Sequence, residues 1–340
     1  MDKFITGFNK SSGCITNISS TYTQDMIFHE TFQSTTITCI DPYSFQGCTS
    51  SFVDLRDTKI TYFREYAFQY SNIGKIILPE TLKSMANNIF LGSSLETLNI
   101  PASTTISIYT FNFAYIGYFT VDSGNPKYSS EKGFIMDKDK TAIIAAPRNI
   151  TSEKDFPYFT RIGGWSMSGA TLKTFTGNSD FSIIDYAAFH GLKYLELLDL
   201  SKTSVKSIPN TFTASSFIKY IVLPTNLEVI RENAFNAIIF KMIIIPQTVS
   251  VIENCAFNYN ATFTVVYLGS IDYSNNNIFS TLDLSRIKVY VTDLYKEDKF
   301  GHINVNRNWI YDKRTCQHHR HTRNTFSLFI VLCIFTIICC

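Results

Sequence analysis

The chain has 340 residues, of which 45% are apolar, 15% aromatic and 17% charged, and its formal net charge is +2. This length and apolar content are sufficient for a sizeable buried core, and so balanced a charge does not indicate a nucleic-acid partner. We therefore expect a folded protein that binds no nucleic acid.

Residues 1–35 are rich in Thr, Ser, Asn and Gln and contain no clear repeat. The first unit of a repeat array needs a more polar outer face than the units behind it, so this segment predicts an N-terminal cap. Its apolar stretches are shorter than the h-region of a secretory signal peptide, which spans about 7–15 residues. We therefore expect no secretion signal here.

From residue 36 onward the sequence repeats with a spacing of 21–23 residues, apart from one longer gap. The two clearest copies are IKYIVLPTNLEVIRENAF, which begins at Ile218, and FKMIIIPQTVSVIENCAFN, which begins at Phe240. A fixed period of about 20–30 residues is the sequence signature of a solenoid. A column of core positions recurs at this spacing: Phe45, Phe68, Phe90, Phe111, Met167, Phe189, Phe212, Phe235, Phe257 and Phe279. The column predicts about ten stacked units.

Each unit combines a strand signal with a turn signal. In the copy at Ile218, the spaced apolar residues Ile218, Ile221 and Leu223 predict a short strand with one face inward, and Pro224 ends it because proline donates no ladder hydrogen bond. The following Ile-x-x-x-Ala-Phe segment predicts a turn or short helix that places its Phe in the core. One unit cannot bury its own apolar face, whereas stacked units can, and each buried Phe contributes roughly 1.5–3 kcal/mol.

The longer gap indicates an insert between two blocks of repeats. Within it, Phe134–Met136 and Ala142–Ile144 flank the charged residues 137–140, which predicts a hairpin. A cap is expected after the second block. The predicted segments are the first block at 36–121, the insert at 122–155, the second block at 156–285 and the C-terminal cap at 286–312.

These motifs resemble those of the BspA-type leucine-rich repeat proteins, whose unit has the form L-x-x-I-x-I-P…V-x-x-I-x-x-x-A-F. The resemblance covers about residues 36–295, and the best matches are Ile218–Phe235 and Phe240–Phe257. The insert sequence NPKYSSEKGFIMDKDKTAIIAAP is similar to a segment that interrupts these repeats, and RIKVYVTDLYKED resembles the family's closing strand and helix. Three units depart from the pattern, at Met167, at Phe212 and at Phe279. The resemblance implies a leucine-rich repeat solenoid that serves as a surface antigen or adhesin-like protein.

Eight cysteines do not form an obvious disulfide framework. Cys39 and Cys48 lie in neighbouring units, close enough to pair, but the sequence leaves this open because the compartment is unknown. Cys255 precedes the Ala-Phe of its unit, where a small buried residue fits.

The C-terminus differs in kind from the repeats. A basic linker at 313–325 precedes the uncharged segment FSLFIVLCIFTIICC at 326–340. As a helix these residues span about 22 Å, against roughly 30 Å of hydrocarbon. We predict a single membrane helix, in which Cys333, Cys339 and Cys340 are possible acylation sites; a buried C-terminal helix or strand is the alternative.

Two indications of topology disagree. Lys313, Arg314, Arg320 and Arg323 precede the apolar segment and no residue follows it, so the positive-inside rule places the repeats in the cytosol, as in a tail-anchored scaffold. The family resemblance instead implies repeats at the cell surface.

No motif with catalytic or cofactor chemistry is present. The sequence lacks the motifs G-x-S-x-G, H-E-x-x-H and C-x-x-C. The histidine-rich run Gln317–His321 is interpreted as a polar linker, because adjacent Arg residues oppose a bound cation. We therefore expect a protein that is not an enzyme and holds no metal or cofactor.

The strongest functional signal is a surface. If alternate residues of each strand point inward, those between them line up along the outer face of the stack. These positions are more polar in the first block, at Lys75, Ile77, Thr97 and Asn99. In the second block they are Leu197, Asp199, Tyr220, Val222, Met242, Ile244, Val265 and Tyr267. A contiguous face with Tyr and Met is typical of a binding surface, so we predict a protein or glycan partner here; coverage by another element is the alternative.

Overall fold

The computed structural model describes residues 3–213, 216–236, 240–258, 262–279 and 283–307. The predicted linker (313–325), the predicted membrane segment (326–340) and the proposed acylation sites Cys333, Cys339 and Cys340 lie outside these ranges. No helix within the described ranges is both long enough and apolar enough to cross a bilayer.

The described residues form short strands joined by turns, and their helices are limited to two 3-10 turns at Glu153–Asp155 and Leu284–Arg286. The first thirteen strands are β1 (Ile5–Asn9), β2 (Cys14–Ile18), β3 (Met26–Ile27), β4 (Thr31–Phe32), β5 (Thr35–Thr36), β6 (Cys39–Ile40), β7 (Thr49–Asp54), β8 (Tyr62–Phe63), β9 (Asn72–Ile77), β10 (Ser84–Met85), β11 (Ser94–Ile100), β12 (Thr105–Ile106) and β13 (Tyr115–Val121). The remaining strands are β14 (Tyr128–Glu131), β15 (Phe134–Asp137), β16 (Ala142–Ala145), β17 (Arg161–Ile162), β18 (Thr174–Thr176), β19 (Ile183–Ile184), β20 (Leu197–Asp199), β21 (Ser207–Ile208), β22 (Tyr220–Val222), β23 (Val229–Ile230), β24 (Met242–Ile245), β25 (Val251–Ile252), β26 (Phe263–Tyr267), β27 (Ile287–Val291), β28 (Lys299–Phe300) and β29 (Ile303–Asn306).

The chain divides into two compact units. Unit 1 comprises Met1–Leu172, Ile183–Lys193 and Phe212–Ser215, and unit 2 comprises Lys173–Ser182, Tyr194–Thr211 and Ser216–Cys340. Both are built from turns of a β-solenoid, about twelve in the chain as a whole. The predicted solenoid is therefore confirmed.

Before the insert, the solenoid turns of unit 1 contribute strands to two parallel ladders. The first ladder has the order β13-β11-β9-β7-β3, and the second contains β2-β6-β8-β10-β12, with β1 antiparallel at its edge. The Ile-x-x-x-Ala-Phe segment begins with a two-residue strand and continues as a turn, so the predicted turn is confirmed and the short helix, its alternative, is not formed in the described residues. That strand is hydrogen-bonded to the same segment of neighbouring turns, as in Tyr62–Phe63 with Ser84–Met85.

The predicted core column is buried along almost its whole length. Nine of its ten residues are at most 8% exposed, and Phe111 is half-buried. In unit 1 the ring centroids of Phe45 and Phe68 lie 4.5 Å apart, and those of Phe68 and Phe90 lie 5.3 Å apart. In unit 2 the rings of Phe235 and Phe257 stack at 5.1 Å. The period of the sequence therefore corresponds to the spacing of one aromatic ring above the next.

The ladders begin earlier than the sequence predicts. Both β2 and β3 lie within residues 1–35, which were assigned to a cap, and they pair in parallel with β6 and β7. The antiparallel edge strand β1 and the small antiparallel hairpin of β4 and β5 depart from the repeat at this end of unit 1. The polar composition of this first turn concealed it, since its outer residues face solvent.

A disulfide joins Cys14 to Cys39, which are directly paired across β2 and β6. This corrects the suggested pairing of Cys39 with Cys48. Cys48 is a fully buried free thiol, and loss of hydration raises its pKa to about 11. The disulfide partner was hidden because Cys14 precedes the residues in which a repeat was recognised.

The insert is integrated into unit 1. Strands β14, β15 and β16 form an antiparallel sheet that contains the predicted hairpin, and β16 then pairs in parallel with β17. The buried side chain of Asn125 fixes the start of the insert: its amide donates to the carbonyls of Pro101 and Thr104, and its oxygen accepts from the amides of Lys127 and Tyr128, each at 3.0 Å. The insert thus supplies a strand to a ladder.

Unit 2 continues the same design, but with a different register from the one predicted at β26. Ile243 pairs with Val265, and Ile245 with Tyr267. Val265 and Tyr267 are fully buried, so the prediction that they face outward is wrong. Residues 265–268 are all apolar and give no alternation, and a shift of one residue exchanges the two faces of a strand.

The end of unit 2 has the predicted strand β27, but a turn and the hairpin of β28 and β29 replace the predicted closing helix. Tyr267, Tyr273, Tyr295 and Phe300 pack together under this hairpin. Burial raises the pKa of Tyr295 to about 12, and its hydroxyl donates to the carbonyl of Lys299 at 2.6 Å. A buried aromatic cluster therefore closes this end.

Candidate binding surfaces

The predicted strand face in unit 2 is only partly accessible. Tyr220, Met242 and Ile244 are half-buried on the outer side of β22 and β24. Leu197, Asp199 and Val222 are each only 8% exposed. Of the eight predicted residues, three therefore offer substantial surface to a partner.

Asp199 is a structural residue. Its carboxylate accepts a hydrogen bond from the amide of Ser201 at 2.9 Å and so stabilises the turn after β20. Asp54 occupies a similar place at the end of β7, where it accepts from the amide of Arg56 at 3.1 Å. An acidic residue at this strand end therefore caps a turn and does not indicate a ligand.

The corrected register identifies which residues continue the strand face. Thr264 lies beside Met242 and is followed by the exposed Lys288. Val266 lies beside Ile244 and is followed by the half-buried Tyr290, but Val266 itself is only 1% exposed and offers no surface to a partner. The face thus combines aliphatic and aromatic side chains with a lysine at its C-terminal end. Sequence reasoning missed Thr264 because it assigned β26 one residue out of phase, and it missed Lys288 and Tyr290 because it treated β27 as part of the C-terminal cap.

The outer face of the first ladder in unit 1 is more polar. One row across β7, β9, β11 and β13 contains, in register, Phe52, Lys75, Thr97 and Tyr118. Lys75 and Thr97 are exposed, and Tyr118 is 46% exposed. An aromatic side chain therefore stands at the end of this row, beside the insert.

A cleft of about 500 Å³ lies where the insert meets this face. Its apolar floor contains Phe134, Pro147 and Ile150, all buried, together with Gly117 of β13. A Cβ atom on Gly117 would lie 2.7 Å from the carbonyl oxygen of Glu96, so only glycine fits there without displacement. This volume is within the range of small-molecule sites, about 300–1,000 Å³.

Tyr118 forms one side of the cleft, and its position is fixed by the insert. Gly133 has a positive φ of 83°, and a Cβ atom on it would lie 2.7 Å from the Tyr118 ring. The amide of the next residue along β13, Phe119, donates to the carbonyl of Gly133 at 3.0 Å. Backbone of the insert therefore packs directly against the aromatic ring.

The rim of the cleft carries four ionisable side chains of balanced charge: Glu96, Lys132, Lys154 and Asp155. The Lys132 ammonium donates to the carbonyls of Lys154 at 3.2 Å and Phe156 at 2.7 Å. The amides of Thr151 and Ser152, which donate to the carboxylate of Asp155, lower its pKa. Lys132 and Asp155 thus already bond to backbone groups of the protein.

Sequence reasoning missed this cleft, although one signal was available. Gly117 interrupts an otherwise regular strand, and glycine inside a strand often marks a close approach by backbone or ligand. The other residues of the site come from segments up to 59 positions apart, from Glu96 to Asp155, and only the folded insert brings them together.

Among the described residues, the one group with metal-ligand geometry consists of Cys14, Cys39 and Asp41, whose ligand atoms lie within 4.8 Å of one another. The two sulfur atoms form the disulfide, so neither is available as a thiolate ligand. We therefore assign no metal to this group.

A sequence profile described as a BspA type leucine-rich repeat region matches the chain in six copies, over residues 13–130, 148–264 and 201–296. No curated protein matches the sequence. Among solved structures, the chain is similar to the pneumococcal vaccine antigen PcpA, with 20% identity, a TM-score of 0.52, and coverage of 87% of this chain and 73% of that one. This likeness shows a shared fold.

Two further solved structures have lower TM-scores. A leucine-rich repeat protein from Eubacterium ventriosum shares 19% identity with a TM-score of 0.45, and covers 72% of this chain and 82% of its own. A leucine-rich cell surface protein from Faecalibacterium prausnitzii shares 14% identity with a TM-score of 0.40. The match covers 78% of this chain and 75% of that one.

Proposed function

Because the chain belongs to the BspA-type leucine-rich repeat family, we propose that it is a non-enzymatic surface protein that captures a protein or glycan partner on the strand face of unit 2. The observation that carries this proposal is the set of half-buried apolar side chains at Tyr220 of β22 and at Met242 and Ile244 of β24. Rigid, partly exposed aromatic and methionine side chains are enriched at protein interfaces.

The disulfide supports the surface location. A bond between Cys14 and Cys39 persists in an oxidising compartment, whereas cytosolic thiols are kept reduced. In this proposal the apolar segment at 326–340 anchors the chain in a membrane, with Cys333, Cys339 and Cys340 as acyl acceptors.

A second candidate is a tail-anchored scaffold whose repeats face the cytosol and bind an intracellular partner. The four basic residues between 313 and 323 favour it, because positive charge beside a membrane segment is normally cytosolic. The disulfide opposes it, since the cytosol would reduce an accessible bond.

The test replaces Tyr220 and Ile244 with Asp in one double variant and measures capture on an array of purified extracellular proteins and glycans. We expect binding seen with the native chain to weaken by about 2 kcal/mol or more, because a charge replaces apolar contact area at the centre of the face. The thermal midpoint should change little, as both side chains are half-exposed.

Val251→Asp is the matched control, since Val251 is an apolar strand residue, 42% exposed, on the second ladder of the same unit. It should bind like the native chain. Undiminished capture by the double variant would show that the strand face is not the contact surface.

A further inference from the structure

The cleft beside the insert offers chemistry that the strand face of unit 2 does not. It combines an exposed aromatic ring, an apolar floor, and hydrogen-bonding groups of both kinds around the rim. We propose that this cleft binds one neutral sugar unit, whose apolar face stacks on Tyr118 and whose hydroxyl groups bond to Glu96 and Asn149.

The first argument concerns shape. A pyranose ring has C–H groups on its faces and hydroxyl groups around its edge, so it needs an aromatic surface beneath it and polar groups beside it. Tyr118 is 46% exposed, and its ring is held in place by Gly133. A preorganised aromatic ring of this kind gives contact area at little cost in conformational entropy.

The second argument concerns the unused polar groups. Among the residues that the structure describes, none bonds to the carboxylate of Glu96 or to the side-chain amide nitrogen of Asn149. The oxygen of Asn149 accepts from Arg148 Nε at 3.2 Å, which orients its amide nitrogen as a donor. The cleft therefore presents an acceptor and a donor, the pair that a sugar hydroxyl requires.

The third argument concerns charge. The rim carries two lysines and two carboxylates, and the guanidinium of Arg148 lies beside it. Lys132 and Asp155 are engaged by backbone groups, and Arg148 donates to Asn149 and Ser94. These charges nearly cancel, so they give only weak attraction to an ion of either sign. The expected ligand is therefore uncharged, and it is recognised through hydrogen bonds and stacking.

The fourth argument concerns Gly117, which lies at the floor of the cleft. A Cβ atom there would lie 2.7 Å from the backbone carbonyl of Glu96 and 3.2 Å from the side-chain amide nitrogen of Asn149. The missing Cβ therefore leaves space beside the amide nitrogen assigned to the sugar.

The experiment titrates the full-length chain with lactose and N-acetylglucosamine, followed by saturation-transfer NMR and calorimetry. The anionic sugar sialyllactose and the zwitterion glycylglycine are titrated in the same way, as charged alternatives to the neutral sugars. We expect millimolar or tighter binding of a neutral sugar, and Tyr118→Ala should weaken it at least about tenfold because stacking is lost. Glu96→Gln should weaken it less.

Two matched controls separate the site from the fold. Tyr115→Ala removes another tyrosine of β13, 38% exposed and outside the cleft, and Glu80→Gln neutralises an exposed acidic residue elsewhere in unit 1. Both should bind like the native chain. The Tyr220→Asp and Ile244→Asp double variant should also retain sugar binding, so failure of the strand-face proposal is distinguishable from failure of this one.

The proposal is overturned if the native chain binds neither neutral sugar at millimolar concentration. Equal binding by the native chain and Tyr118→Ala, with an unchanged thermal midpoint, would also overturn it. Exclusive binding of sialyllactose or of glycylglycine would show that charge, not stacking, governs the cleft.

Discussion

At the scale of single residues, the turn before seven of the ten core-column residues places a non-glycine residue in a left-handed backbone conformation. The residue two positions before the core ring has φ of 61° at Tyr66, 55° at Asn88, 53° at Asn233 and 56° at Cys255. This conformation costs about 1–2 kcal/mol for most L-residues, and Asn tolerates it best. The identity of this residue is therefore a local determinant of stability.

We predict that Cys255→Asn stabilises unit 2 by up to about 1 kcal/mol, because Asn relieves the backbone strain at this position. Asn233 shows that asparagine fits the equivalent place in the preceding turn of the solenoid, where it also accepts from Asn258 at 3.0 Å. Urea denaturation measures the change. Cys255→Ala, which retains the strain, is the control, and equal stability of the two variants would contradict the strain account.

At the scale of elements, the rings of the core column act as a stack in which each ring covers the next. Phe68 is fully buried, with Phe45 and Phe90 on either side at 4.5 and 5.3 Å. Phe111 is half-buried and lies at the end of this stack, where the insert interrupts the repeats. Position within the stack should therefore govern how much each ring contributes.

Phe68→Ala should lower the free energy of unfolding by about 3–5 kcal/mol, because it removes a large side chain and leaves a cavity between two rings. Phe111→Ala should cost clearly less, since solvent can fill part of the space. Chemical denaturation followed by circular dichroism compares the two variants. Phe217→Ala is the control, and it should change stability little because Phe217 is 54% exposed. Equal losses at Phe68 and Phe111 would show that burial within the stack does not set the energy.

At the scale of the whole molecule, the disulfide bears on where the protein resides. Cys14 and Cys39 are 25 positions apart and join the first two strands of the second ladder, so the bond stabilises the N-terminal turn. Closing a loop of this size contributes about 3 kcal/mol in the chain-entropy account. A protein that depends on this bond needs an oxidising environment.

We expect protease added to intact cells to remove the repeats, and the released peptides to contain Cys14 linked to Cys39 before reduction. The physical reason is that both accessibility to protease and an intact disulfide require exposure outside the cytosol. Mass spectrometry of the shaved material measures both, and permeabilised cells provide the control for total cleavage. Protection in intact cells together with free thiols would favour the cytosolic scaffold.

Three of the eight residues predicted for the strand face are partly exposed, and local sequence pattern explains both these and the errors. Tyr220, Met242 and Ile244 were identified because regular alternation distinguishes the two faces of a strand. Val265 and Tyr267 were misplaced because a continuous apolar run carries no phase, so the hydrogen bonds to β24 decide it.

The sequence by itself determined the period, the core column and the family, because stacked turns repeat the same environment and therefore select the same residue types. Tertiary structure alone decided the register of β26, the partner of Cys39 and the cleft at Tyr118. Each of these depends on which distant segments become neighbours, and on hydrogen bonds whose register a short apolar run leaves free. The repeat can be recognised from the order of neighbouring residues, whereas these three features arise only when the turns are stacked.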